Sequence, residues 1–223
     1  MLTPPLFRDR RHAGRLLAQA LQSYADRRDV LVLALPRGGV PVGFEVARAL
    51  RAPLDVLVVR KLGVPGHAEY AMGAIASGGI RLLNDEVVQG MEVTKAQIDS
   101  TVSAESKELH RREQAYRGVR PPLAAAGRTV ILVDDGMATG STMLAAVRAL
   151  RTLRPAHIAV AVPTAAADVC ARLRAEADEV ICTTTPEPFR AVGLWYADFS
   201  QTSDDEVREL LDEAQAGGGP DSY

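Results

Sequence analysis

Five short strand-like runs constrain this chain more than any other feature: VLVLAL at 30–35, LDVLVV at 54–59, TVILVD at 129–134, HIAVAV at 157–162 and EVICTT at 179–184. Each has the length of a strand. The first two run on without polar alternation, as strands buried on both faces do. Segments with helical spacing separate them. Residues 9–26 place Ala13, Leu16, Leu17, Ala20, Leu21 and Tyr24 on one stripe, with Asp9 as N-cap. A short helix ends near residue 50, and a polar one is predicted over 94–116, opened by a Thr94/Gln97 capping box. Further helices are predicted at 140–153 (Met143, Val147 and Leu150 inward), 165–176 and 203–215. This alternation specifies an α/β fold, a mainly parallel sheet flanked by helices on both faces. Residues 61–90 carry six glycines and little periodicity, and read as a lid loop with a short hairpin near 73–83. Residues 185–200 read as a small C-terminal hood. The expected organisation is one domain over 1–216 and a disordered tail over 217–223.

The 223 residues are 47% hydrophobic and 24% charged, with a formal net charge of −2. That balance argues against nucleic acid or an anionic membrane as partner, so any anion site must be local. The start, MLTPPLFRDRRHAGRLL, lacks the apolar stretch of a signal peptide, and no uninterrupted apolar run reaches 18 residues. Cys170 and Cys182 form no CxxC pair and read as reduced core thiols of a cytoplasmic protein, with a structural disulfide as the lesser reading.

The stretch VILVDDGMATGST, 130–142, combines features that normally repel one another. A strand runs into Asp134 and Asp135, and a Gly/Ser/Thr loop opens a helix directly afterwards. The loop amides and the first-turn N–H groups of that helix have no intrahelical partner and favour an anion. Gly136 and Gly140 permit close backbone approach, and Thr139, Ser141 and Thr142 add hydroxyl donors. Ionised carboxylates accept hydrogen bonds only, so beside a phosphate cradle their natural partners are vicinal hydroxyls. A ribose 5-phosphate satisfies both halves. The stretch lacks the lysine of a Walker loop and is not a GxGxxG fingerprint.

This run resembles the phosphoribosyl diphosphate (PRPP) signature of type I phosphoribosyltransferases, nearest the adenine and orotate branches, and the resemblance extends in order over roughly residues 30–165. It implies that Ala138, Thr139, Gly140, Ser141 and Thr142 hold the 5-phosphate. Asp134 and Asp135 would hold the ribose and, directly or through water, Mg²⁺. In LPRGG, 35–39, Gly38 and Gly39 free the backbone for an anion and Arg37 adds a delocalised charge, although an ordinary βα turn reads the same way. The family has its diphosphate loop here, often with a non-proline cis peptide beside the position of Arg37. Arg60 and Lys61 could hold diphosphate or sit in solvent; the resemblance assigns them to diphosphate.

The adenine branch carries a glutamate after a Tyr-Ala-hydrophobic triplet. Here Tyr70-Ala71-Met72 is followed by Gly73, and Glu69 is the nearest substitute for proton transfer. Ala138 stands where the hypoxanthine-guanine branch has an aspartate. Four of the ten aromatic residues lie in FRAVGLWYADF, 189–199. They read either as a satellite core or, by the resemblance, as a hood in which Trp195 or Tyr196 stacks on the acceptor base. Of the four histidines only His67, in the lid, is a catalytic candidate. The implied reaction moves 5-phosphoribosyl from PRPP to a nitrogen heterocycle with release of diphosphate, in a homodimer as the family suggests. The rival readings are a sensor of PRPP or a nucleotide without transferase activity, and a hydrolase or phosphorolytic enzyme acting on ribose phosphates.

Overall fold

The computed structural model describes residues 5–118, 120–121 and 123–217, without the side chains of Ala68 and Glu69. Beyond Gly217 the expected tail lies outside the described residues. Five strands form a parallel sheet in the order β2-β1-β6-β7-β8: β1 Val30–Ala34, β2 Leu54–Val56, β6 Thr129–Val133, β7 His157–Thr164 and β8 Glu179–Thr184. Register is set by pairs such as Ala34 with Val133 and Val133 with Ala161. The lack of alternation in the strands has a direct structural cause. Val30, Val32 and Ala34 join Ile131, Val133, Ala159 and Ala161 in a core packed under α1 (Arg10–Ala20), α2 (Gly39–Leu50) and α7 (Asp204–Gly217). Leu31, Leu33, Val130, Leu132, Ile158 and Val160 face the other way, against α5 (Ser141–Thr152) and α6 (Ala167–Leu173). Two faces of one sheet are therefore dry.

The helix signals hold locally. Asp9 Oδ1 accepts from the His12 amide at 2.7 Å and caps α1, which breaks at Leu21 into a short 3-10 turn, Gln22–Tyr24. Thr94 and Gln97 close the capping box of α4, Lys95–Arg117. Met143, Val147 and Leu150 are buried as expected.

Three expectations are corrected. The LDVLVV run is not one strand. It leaves the parallel sheet after Val56, and at Val59 the chain enters a second, antiparallel sheet of β3 (Val59–Val64), β4 (His67–Ala76) and β5 (Ile80–Leu83). The transition is held by Ser77, whose amide donates to Val58 O at 2.9 Å while its Oγ accepts from the Val58 amide at 3.0 Å. The segment 61–90 is accordingly this sheet plus a short helix α3, Asp85–Gly90, rather than a loop. The hairpin expected near 73–83 is its β4–β5 half. Glycine masked the alternation: a Cβ on Gly73 would lie 2.2 Å from Leu82 O, and the ladder shifts register at Gly63. Third, Cys170 and Cys182 are joined in a disulfide rather than reduced. α6 packs along the edge strand β8 and brings the two together, which a spacing of twelve residues does not reveal.

Candidate active site

The carboxyl ends of β1 and β6 are neighbours in the parallel sheet, so the turns that follow them meet. After β1 the chain passes through Pro36 and Arg37, whose peptide bond is cis, into Gly38 and Gly39 at the start of α2. After β6 come Asp134 and Asp135. The approach is too close for a side chain at either glycine. A Cβ on Gly38 would lie 2.0 Å from Asp135 Oδ2, and one on Gly39 would lie 2.8 Å from Val133 O and 3.2 Å from Asp134 Oδ1.

Each aspartate has one oxygen engaged by the protein. Asp134 Oδ1 accepts from the Asp135 amide at 2.8 Å, and Asp135 Oδ2 accepts from Arg10 Nε at 2.8 Å. The other oxygens, Asp134 Oδ2 and Asp135 Oδ1, have no partner among the described residues. Burial pushes the Asp134 carboxyl well above the ordinary carboxylate range, and the Asp135 charge pushes it the same way. Burial also raises Asp135, against the downward pull of Arg10. The two remaining oxygens suit a vicinal diol. They also suit a Mg²⁺ that arrives with a polyphosphate, because Mg²⁺ is typically held by one or two carboxylates together with substrate oxygens and water. No cluster of three or more His, Cys, Asp or Glu side chains able to hold a metal occurs among the described residues.

The loop that follows is open. Ala138, Thr139, Ser141 and Thr142 are exposed, and Gly140, at φ +70°, starts α5 without a side-chain cap. The first turn holds no acidic residue, and the exposed hydroxyls of the loop bond only locally among the described residues: Thr139 Oγ1 accepts weakly from the Ser141 amide at 3.4 Å and lies 3.3 Å from Ser141 Oγ. The loop is anchored from behind. Met137 N donates to Thr164 O at 3.0 Å, Ala166 N to Met137 O at 3.1 Å, and Arg172 Nη2 to Thr139 O at 3.1 Å.

The candidate cations separate. Consecutive strand residues point to opposite faces. Lys61 lines a cleft of about 270 Å³ with Val59, Arg60, Thr142 and Ala145, beside the first turn of α5, although the Arg60 guanidinium is drawn elsewhere. Arg60 turns to α4, where its Nη2 lies 2.6 Å from Glu105 Oε2. Arg37 lies 3.5 Å from Asp204, a carboxylate also held by Tyr116 Oη at 2.6 Å. Arg60 and Arg37 are thus paired internally, while Lys61 stays beside the loop.

The hood departs from expectation. Trp195 and Tyr196 are only 7% and 5% exposed, packed with Phe7, Ala13 and Phe189. Neither ring offers a face to a base, which corrects that assignment in favour of a satellite core. The reason is the N-terminal segment, absent from any local pattern: Leu6 and Phe7 amides both donate to Trp195 O at 3.0 Å, and the Phe7 ring packs tilted against Tyr196 at 5.2 Å. Tyr196 still reaches the site, donating from Oη to Asp135 O at 2.6 Å. The Glu69 side chain lies outside the described residues. His67 lines another cleft, with Gln89 and Met91, to which the 134–142 segment does not contribute. Arg10, Asp204 and Glu105 were missed from the sequence, and no local signal marks them. Arg10 lies 125 residues from the carboxylate it holds.

A family model described as the phosphoribosyl transferase domain matches residues 8–194, which contain every one of these turns. The chain belongs to the phosphoribosyl transferase family. Two Mycobacterium tuberculosis proteins, provisionally named phosphoribosyl transferases, are 50% identical over 94% of this chain and 47% of their own length. The chain spans about half the length of these curated relatives. The crystal structure of the protein TT1426 from Thermus thermophilus superposes with a TM-score of 0.84 at 43% identity, covering 93% of this chain and 98% of that one. A ribose-phosphate pyrophosphokinase of Methanopyrus kandleri is 30% identical over 70% of this chain and 62% of its own length. Among the described residues of this phosphoribosyl transferase family member, no helix is long and apolar enough to cross a membrane.

Proposed function

We propose that residues 1–216 form one catalytic domain that transfers 5-phosphoribosyl from PRPP to a nitrogen heterocycle, releasing diphosphate. The observation that carries this reading is the pair of unpartnered carboxylate oxygens on Asp134 and Asp135, beside a turn kept clear by Gly38 and Gly39. The relative named ribose-phosphate pyrophosphokinase supports a ribose phosphate as ligand. Asp134 and Asp135 bind the ribose diol, and the 138–142 loop binds the 5-phosphate through its amides and hydroxyls. Lys61, with Arg37 and Arg60 once diphosphate competes for their carboxylates, balances the charge of the departing diphosphate. Bound Mg²⁺, held by Asp134 and Asp135 directly or through water, would supply further charge neutralisation. C1′ gains oxocarbenium character as the diphosphate bond loosens, so the work of the protein is positioning and charge stabilisation. The β3–β5 sheet covers the reacting centre against water, and Glu69 is the proposed proton acceptor. A screen of nucleobases with PRPP and Mg²⁺, reading diphosphate release, tests the reading. Base-dependent release is expected; turnover without any base would instead assign a hydrolase.

A second reading has an observation of its own. With Trp195 and Tyr196 enclosed, neither proposed aromatic face is available to an acceptor. A domain that binds PRPP or a nucleotide to regulate a partner would need none. It would bind PRPP in titration yet release no diphosphate with any base.

A further inference from the structure

Three segments far apart in sequence meet at one side chain. Arg10 is the first residue of α1. Its Nε lies 2.8 Å from Asp135 Oδ2, its Nη1 donates to Ser200 O at 2.6 Å, and its guanidinium stacks over the Phe199 ring at 3.9 Å. Both partners of the ion pair are largely enclosed, with 12% and 15% of their side chains exposed. The same Nε would lie 3.0 Å from a Cβ on Gly38, so the guanidinium also borders the turn proposed to take diphosphate.

We propose that Arg10 is a positioning residue for sugar recognition: by fixing Asp135 Oδ2 it turns Oδ1 toward the ribose hydroxyls. This rests on the ribose-binding reading of Asp135. The geometry is specific to an arginine. Holding one carboxylate oxygen, one backbone carbonyl and one ring face together needs a planar fork with several donors, which an ammonium group cannot reproduce. The other hydrogen bonds at Asp135 are to its main chain, from Tyr196 Oη to its carbonyl and from its amide to Asp134 Oδ1, and neither fixes the rotation of the carboxylate. Without Arg10 the carboxylate loses its fixed orientation and the diol loses an aimed acceptor. The role acts through Asp135. Its signature is therefore loss of sugar recognition with retention of bare phosphate binding at the 138–142 loop.

The test uses isothermal titration of the full chain with ribose 5-phosphate and, separately, with inorganic phosphate, both in magnesium buffer. Arg10→Met keeps much of the apolar stem, and Arg10→Lys restores charge without the fork. Wild type is expected to prefer ribose 5-phosphate. Arg10→Met should lower ribose 5-phosphate affinity on the order of tenfold, as loss of a residue supporting a ligating carboxylate does elsewhere, with inorganic phosphate unchanged. Arg10→Lys should recover part of the loss. Equal losses for the two ligands would make Arg10 merely structural and overturn the proposal, as would unchanged ribose 5-phosphate affinity in Arg10→Met. If Arg10→Met does not fold, Arg10→Lys alone decides by the same ratio of affinities. Wild type that binds phosphate without preferring the sugar phosphate would overturn the ribose reading itself, and this proposal with it.

Discussion

Gly140→Ala asks whether the open loop at 138–142 is held in shape by α6. Two costs can be worked from the structure. Gly140 has φ +70°, and an alanine in the left-handed region costs ~1–2 kcal/mol. A Cβ there would also lie 2.5 Å from Val169 Cγ1. Val169 is 2% exposed and sits on a helix, where a β-branched side chain has essentially one rotamer, so it cannot swing aside. Overpacking of this kind adds about 1–3 kcal/mol. If the loop keeps its place, the total is about 2–5 kcal/mol of unfolding free energy. If it yields instead, less appears in stability and more in weakened phosphate binding. The companion variant separates the two causes. Val169→Ala removes the overlap but leaves the backbone strain, so it should cost less in the Gly140→Ala background than in wild type. A coupling of about 1 kcal/mol or more is expected, measured by urea unfolding of the four proteins alongside titration with inorganic phosphate. Additivity within about 0.5 kcal/mol, together with unchanged phosphate affinity in Gly140→Ala, would refute the contact between α6 and the loop.

Three other outcomes are expected. The folded pKa of Asp134 lies above its unfolded value, so the folded state holds the proton more tightly and stability falls as pH rises above the ordinary carboxylate value of about 3.9. Asp134→Asn keeps the acceptor for the Asp135 amide and should melt higher than wild type at pH 7, with the gap closing toward about pH 3–4, while PRPP affinity drops; an equal gap at all pH values contradicts the assignment. Cys170→Ser/Cys182→Ser should lose roughly 3 kcal/mol in urea unfolding, because the bridge restricts the unfolded chain to the extent expected for a loop of this length, and the difference should vanish in dithiothreitol. Lys61→Ala should weaken diphosphate binding about tenfold, the loss of one charge-assisted hydrogen bond, whereas Arg60→Ala should cost less because Arg60 already pairs with Glu105; a larger loss for Arg60→Ala in diphosphate titration would reverse that ranking.

How much could be read beforehand depended on the range of the signal. The parallel sheet was legible because burial on both faces writes itself into consecutive residues, as in Val30–Leu35. The caps at Asp9 and Thr94 were legible because donor and acceptor are three residues apart. The aspartate pair and the glycine turn at 38–39 could be proposed together because their residue types are adjacent in sequence, and the structure brings the two turns into contact. The second sheet was not, since Gly63 and Gly73 interrupt the alternation that marks a strand. The disulfide was missed because α6 and β8 approach only after packing.

From sequence alone came the α/β class, the strands that carry the candidate site and the residue types proposed to bind a sugar phosphate, since periodicity and adjacency need no knowledge of the rest of the chain. Tertiary structure alone decided where these side chains turn: Lys61 beside the loop, Arg60 on Glu105, Trp195 and Tyr196 folded inward with Phe7, and Arg10 on Asp135. Those outcomes depend on where segments far apart in the chain come to rest, and that is set by the packing of the whole core rather than by any local pattern.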